Sequence, residues 1–163
     1  MIPSVLRHDP KRDLLLERVA DVPPSLVWAA WTTPALVMRW FTPAPWQTIA
    51  CRIDLRPGGE FLTVMRGPQG QELSNAGCIL EVVPEQRLVW TQALTAGFRP
   101  AARPPHVPVM TAVIHLQADG AGTRYTATAQ HADEAARRRH EEMGFIDGWG
   151  KATDQLMALA KTL

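Results

Sequence analysis

His131 and Glu142 are the two residues of this sequence whose types and placement could do acid–base work together. A helix that carries Phe145 and Trp149 on its apolar face puts Glu142 on that face as well, three residues before the first ring and seven before the second. A carboxylate facing an apolar cavity can orient a ligand, or act as a base once desolvation raises its pKa. The plainer alternative, and the preferred one, is the partly solvated end of a stripe, paired with an arginine such as Arg99 or Arg138. His131 ends a strand pattern in phase with Tyr125, Ala127 and Ala129. If that face is concave, His131 looks toward the same end of a cavity as Glu142, and the pair suits proton transfer. A hydrogen-bonded histidine at a strand-to-helix corner is the commoner role for such a residue. His115 alternates with Met110, Ala112, Ile114 and Leu116, so it faces solvent; His106 falls in a proline-rich stretch.

Other chemistries lack their residues. His140-Glu141-Glu142-Met143-Gly144 resembles a zinc-protease helix only as far as Gly144, where the second histidine would have to stand. No other His/Cys/Asp cluster has ligand spacing, so no metal and no cofactor is expected. Ser25 and Ser74 have no nucleophile-elbow glycines. Gly144, Gly148 and Gly150 fit no dinucleotide or phosphate-loop pattern. Each should weaken a helix by about 1 kcal/mol relative to alanine, which implies a close neighbour there, the short helices and loop before a bound ligand.

Of the 163 residues, 46% are apolar and 20% charged, as in a globular protein. Seventeen basic and sixteen acidic residues leave a formal charge of +1, too little to steer the chain toward nucleic acid or an anionic membrane. No apolar run approaches the roughly 20 residues of a membrane span, and MIPSVLRHDPKRD has no signal-peptide core. Cys51 and Cys78 stand alone, which suits a reducing cytoplasm.

The elements that must position these residues follow from period and punctuation. Residues 13–20 read as a strand. Pro23-Pro24 and Thr33-Pro34 open two short helices carrying Val27, Trp28, Trp31, Leu36, Val37 and Trp40. A two-residue rhythm then runs through strands at 47–55, 60–66, 72–83, 87–93, 109–117 and 123–131, with turns at Pro57-Gly58-Gly59 and Gly67-Pro68-Gln69-Gly70. Residues 95–108 hold four prolines and no period, the mark of a long loop. From Asp133, a good N-cap, one proline-free helix of about 28 residues and roughly 40 Å is expected to the end. It puts Phe145, Trp149, Ala152, Thr153, Leu156 and Ala160 on one side, with His140, Asp147, Lys151 and Asp154 opposite.

The fold class is therefore α+β: a single domain over 1–163, with 1–12 as an extension. A curved antiparallel sheet of six to seven strands wraps around a long C-terminal helix, with two short helices after the first strand. One helix cannot cover so wide a sheet unless the sheet curls, and curling leaves room for a pocket.

Several stretches carry a resemblance: Leu26-Val27-Trp28-Ala29-Ala30-Trp31-Thr32 with Arg39-Trp40, Asp54-Leu55-Arg56-Pro57-Gly58-Gly59, Met65-Arg66-Gly67-Pro68, Leu80-Glu81-Val82-Val83-Pro84 with Arg87-Leu88-Val89, and His140-Glu141-Glu142-Met143-Gly144-Phe145 with Gly148-Trp149. In this order they resemble the helix-grip fold of the START/SRPBCC superfamily. Within it they are similar to the stand-alone bacterial members of the activator-of-heat-shock-protein-90-ATPase homologue family. The resemblance implies a cavity between helix and sheet for an apolar or amphipathic small molecule, and no shared catalytic residue. The co-chaperone that names the family has a further amino-terminal domain for chaperone binding, whereas about a dozen residues precede the domain here, so chaperone contact is not expected.

The leading expectation is a cytoplasmic, cofactor-free binding protein for a small apolar or amphipathic molecule. Its wall would be built from Phe61, Met65, Asn75, Trp90, Met110, His131, Glu142, Phe145 and Trp149. Trp40 and Trp46 would flank the mouth, and Phe98 and Arg99 would form a lid. The alternatives are a cyclase- or hydrolase-type enzyme using Glu142 and His131, as some relatives in the superfamily cyclise polyketides, and a chaperone-interacting module. A homodimer through the outer sheet face at Val64 and Val113 is also open.

Overall fold

The computed structural model describes residues 6–102 and 108–163. The chain runs β1 (Asp13–Ala20), α1 (Pro24–Thr32), α2 (Pro34–Trp40), β2 (Gln47–Ile53), β3 (Glu60–Arg66), β4 (Glu72–Val83) and β5 (Arg87–Thr91). It continues through β6 (Leu94–Thr95), β7 (Arg99–Pro100), β8 (Thr111–Asp119), β9 (Gly122–Gln130), α3 (Glu134–Glu142) and α4 (Phe145–Ala160). Seven strands form one antiparallel sheet in the order β1-β9-β8-β5-β4-β3-β2, while β6 and β7 make a separate small hairpin. This is the helix-grip arrangement.

Alternation decides the inner face. Direct cross-strand partners share a face, so Phe61 with Gly77, Thr63 with Asn75, Met65 with Leu73 and Trp90 with Ala112 all look inward. On the other half of the sheet, Leu14 with Ala129, Leu16 with Ala127 and Leu116 with Tyr125 do the same. Ala112, Ala127 and Ala129 are completely buried. These small residues form a low bed, and α4 packs on β1 and on the two short helices above it. On the other half α2 packs on β2, and among the described residues no helix packs in this way on β3 and β4. Two polar side chains of α4 tie the α2–β2 connection beside it: the Gln155 amide donates to the carbonyls of Trp40 and Thr42, both at 2.9 Å, and Lys151 donates to that of Ala44 at 2.7 Å.

The single terminal helix expected from Asp133 is in fact two. Asp133 caps α3 as its residue type implies, accepting from the Ala136 N–H at 2.8 Å. The helix then stops at Met143, and Gly144 takes left-handed backbone angles, φ 95° and ψ 36°, before α4 starts at Phe145. That break resets the helical phase. The stripe from Phe145 to Ala160 lies on one side as expected, with all but the half-buried Trp149 buried. The phase does not carry back through Gly144 to Glu142, which is exposed.

The proline-rich stretch also differs from a plain loop. Its first part folds into the β6–β7 hairpin, whose Gly97 N–H donates to the Gly58 carbonyl at 2.8 Å. The Phe98 ring lies against Gly58 so closely that a Cβ there would come within 2.8 Å of it. Residues 103–107, including His106, lie outside the described residues.

Gly144 isolates the left-handed conformation from packing, because a Cβ at that position would meet nothing within 4 Å. Gly144→Ala should therefore lower stability by about 1–2 kcal/mol, the cost of left-handed backbone for a residue with a Cβ. Urea denaturation of the two proteins measures it.

Candidate functional site

Where α4 leaves the sheet uncovered, a cavity of about 660 Å³ opens between them. Aromatic residues from both chain halves make its inner end. Trp31 of α1, Trp40 and Phe41 at the end of α2, Phe61 of β3 and Trp90 of β5 form one contiguous cluster. Phe61 stacks on Trp90 at 4.8 Å between ring centres, and Trp31 stands 4.7 Å from Trp40 and 5.1 Å from Trp90. Tilted and edge-on pairs of this kind fix the rings' orientations. The sheet wall continues through Thr63, Met65, Leu73 and Asn75, and the helix wall through Phe145, Gly148, Trp149, Ala152 and Thr153. Pro43 and Pro108 complete the lining, and Leu73 and Met143 are its exposed apolar residues.

Two of the buried indole N–H groups in this apolar setting have protein acceptors. The Trp31 indole N–H donates to the Tyr125 hydroxyl at 3.2 Å, and the Trp40 indole N–H to the Ala30 carbonyl at 2.9 Å. Burial pushes the Tyr125 phenol well above its ordinary pKa, so this hydroxyl is a structural hydrogen-bonding group. Gly148 explains itself differently from the close approach expected of it. A Cβ there would find only Pro43, at 4.0 Å, and the space in front of it is cavity. Gly150 alone of the three helix glycines has a close neighbour: a Cβ there would stand 3.0 Å from the Arg18 guanidinium.

Seven of the nine expected wall residues come together here: Phe61, Met65, Asn75, Trp90, Met110, Phe145 and Trp149. Two do not. Glu142 projects into solvent from the last turn of α3, and among the described residues no ion pair reaches it; Arg138 pairs instead with Glu134 at 3.3 Å. His131 is buried, but it sits behind the wall. Its Nδ1 lies 2.9 Å from the Arg12 carbonyl and its Nε2 2.8 Å from Nδ1 of His140. The acid–base pair of His131 and Glu142 is thus not assembled. Phe98 and Arg99 are absent from the wall: both belong to the β6–β7 hairpin, where the Phe98 ring lies against Gly58 and Arg99 is exposed. Trp46 is half-buried and lines a separate, smaller pocket with Gln155.

His140 takes the place that Glu142 was expected to hold. Its ring lies 5.3 Å from Phe145 and 6.1 Å from Trp149, both roughly perpendicular to it. Burial, and next the neighbouring His131, push its pKa down to about 4, so the ring is neutral near pH 7. A continuous helix would have turned His140 away from Phe145. The signal that could have found it is Gly144, a residue able to break the helix and reset the phase. Among the described residues, no three of His, Cys, Asp and Glu gather as metal ligands, and no helix is long and apolar enough to cross a membrane.

Comparisons with known proteins agree with this architecture. The family model described as Activator of Hsp90 ATPase homolog 1-like protein matches residues 21–161. A crystal structure of a protein from Nitrosomonas europaea is 52% identical, with a TM-score of 0.90 over 95% of this chain and 97% of that one. A protein from Mycobacterium smegmatis is 25% identical, with a TM-score of 0.76 over 94% and 93%. One from Arthrobacter aurescens shares the fold at 21% identity, with a TM-score of 0.81 over 98% and 94%. No curated protein matches the chain.

The depressed pKa of His140 has a stability consequence. The folded state holds this ring neutral down to about pH 4, while the unfolded chain takes up its proton near 6.5. The contribution is complete above pH 6.5 and declines as pH falls toward 4. Urea denaturation across this range should show a steeper loss in the parent than in His140→Gln.

Proposed function

We propose that this chain, which belongs to the Activator of Hsp90 ATPase homolog 1-like family, is a receptor for a small apolar or amphipathic molecule held between the sheet and α4. The observation that carries this reading is the cavity itself. Its volume of about 660 Å³ falls within the roughly 300–1,000 Å³ typical of ligand sites, and its walls are aromatic and aliphatic with a few polar groups. Flat rings suit it best, because stacked and edge-on indoles present flat faces. Gly148 supports the reading independently: an alanine fits there and would favour the helix by about 1 kcal/mol, yet the position carries no side chain and the room is left open. The free cysteines Cys51 and Cys78 suit a reducing, cytoplasmic setting.

An enzyme built on Glu142 and His131 has no support in this geometry, since one is exposed and the other is sealed behind His140. The acid–base alternative therefore loses the two residues on which it stood.

The test uses 1-anilinonaphthalene-8-sulfonate as the probe, read through energy transfer from the wall tryptophans Trp31, Trp40, Trp90 and Trp149. Single-site saturable binding is expected in the parent. Gly148→Leu, which fills the cavity from the helix side, should keep the melting temperature at or above the parent's and weaken probe binding about tenfold or more. Equal binding by the folded variant would place the probe elsewhere and remove the receptor reading.

A further inference from the structure

The histidine pair has only one consistent arrangement of protons while both rings are neutral. The Arg12 carbonyl can only accept, and it already receives the His131 backbone N–H at 3.1 Å, so His131 Nδ1, at 2.9 Å, must carry the proton. A neutral His131 then has a bare Nε2, which accepts. The hydrogen bond at 2.8 Å therefore requires a proton on His140 Nδ1. That leaves His140 Nε2 as a lone pair. Among the described residues no protein group bonds to this atom, no buried side-chain nitrogen or oxygen lacks a partner, and His140 is a wall residue of the cavity. Nε2 is thus the accessible polar atom of a ring that packs edge-on against Phe145 and Trp149.

From this relay, Arg12 carbonyl to His131 to His140, we infer that the cavity selects ligands bearing a hydrogen-bond donor, a hydroxyl or N–H on an apolar body, which His140 Nε2 accepts. A ligand offering only a carbonyl or ether oxygen at that place sets lone pair against lone pair. Discrimination of this sort is strong where a polar protein atom would otherwise be left unpaired. His131 acts as a positioning residue: it holds the tautomer and does not touch the ligand. Among the described contacts of His140, His131 is the titratable neighbour, and the His140 ring itself stays neutral well below pH 7.

The inference rests on the receptor reading, and the test separates the two. Binding of 2-naphthol and of 2-methoxynaphthalene, which share one apolar body, is measured by tryptophan quenching at pH 7.5. The parent should bind the naphthol about tenfold tighter, and His140→Phe should bind both alike at the ether's affinity. Equal affinity in the parent overturns the donor preference and leaves the receptor standing; no saturable binding of either overturns both. Should His140→Phe fail to fold, long-range ¹H–¹⁵N correlation spectra of the unmodified protein decide the matter. The inference requires Nδ1–H on both rings, and an Nε2–H tautomer of His140 overturns it.

Discussion

A seven-stranded antiparallel sheet is wider than one helix can cover, and the remaining features of this molecule answer to that mismatch. The sheet resolves it asymmetrically. On the β1 side α4 packs against the sheet and the two short helices, and Ala112, Ala127, Ala129, Leu14, Leu16 and Leu156 are buried in their common core. On the β3–β4 side, the short helices bring Trp31 and Trp40 over the sheet, and beyond them the space stays open. The cavity is thus the part of the inner face that neither α4 nor the short helices fill.

Keeping such a space apolar puts a demand on every polar atom around it. An indole N–H buried without an acceptor would cost about 1–3 kcal/mol, and the Trp31 and Trp40 indoles avoid this through Tyr125 and the Ala30 carbonyl. The same reasoning makes the histidine pair informative. A chain of donors that begins at a backbone carbonyl fixes each proton in turn, and its last lone pair lies at the cavity wall. Here the chemistry of the wall is dictated by a main-chain atom of Arg12, which lies just before the first strand.

Much of this is legible in the residues. The period-two runs locate the main strands, the Pro23-Pro24 and Thr33-Pro34 pairs place both short helices, and seven wall residues follow from strand phase and from the stripe that begins at Phe145. Glu142 and His140 fall on the wrong sides for one reason: a 100° rotation per residue cannot be carried through Gly144, where the backbone turns left-handed. Periodicity measures phase within an element and has no means of measuring it across a break. The role of His131 is likewise hidden in the sequence, because its partners, the Arg12 carbonyl and His140, meet it only through tertiary structure. Phe98 suggests a lid because it sits in a long irregular stretch, and the contact with Gly58 that holds it elsewhere joins residues 40 apart in the sequence.

The most direct measurement of the central claim is amide chemical-shift mapping by NMR with small aromatic fragments. Saturable shifts are expected to concentrate on β3, β4, the α3–α4 junction and the first turns of α4, at Phe61, Asn75, Gly144 and Trp149 among others. Shifts confined to the outer sheet face, or none that saturate, would contradict the claim and show the space between sheet and helix to be closed to ligands.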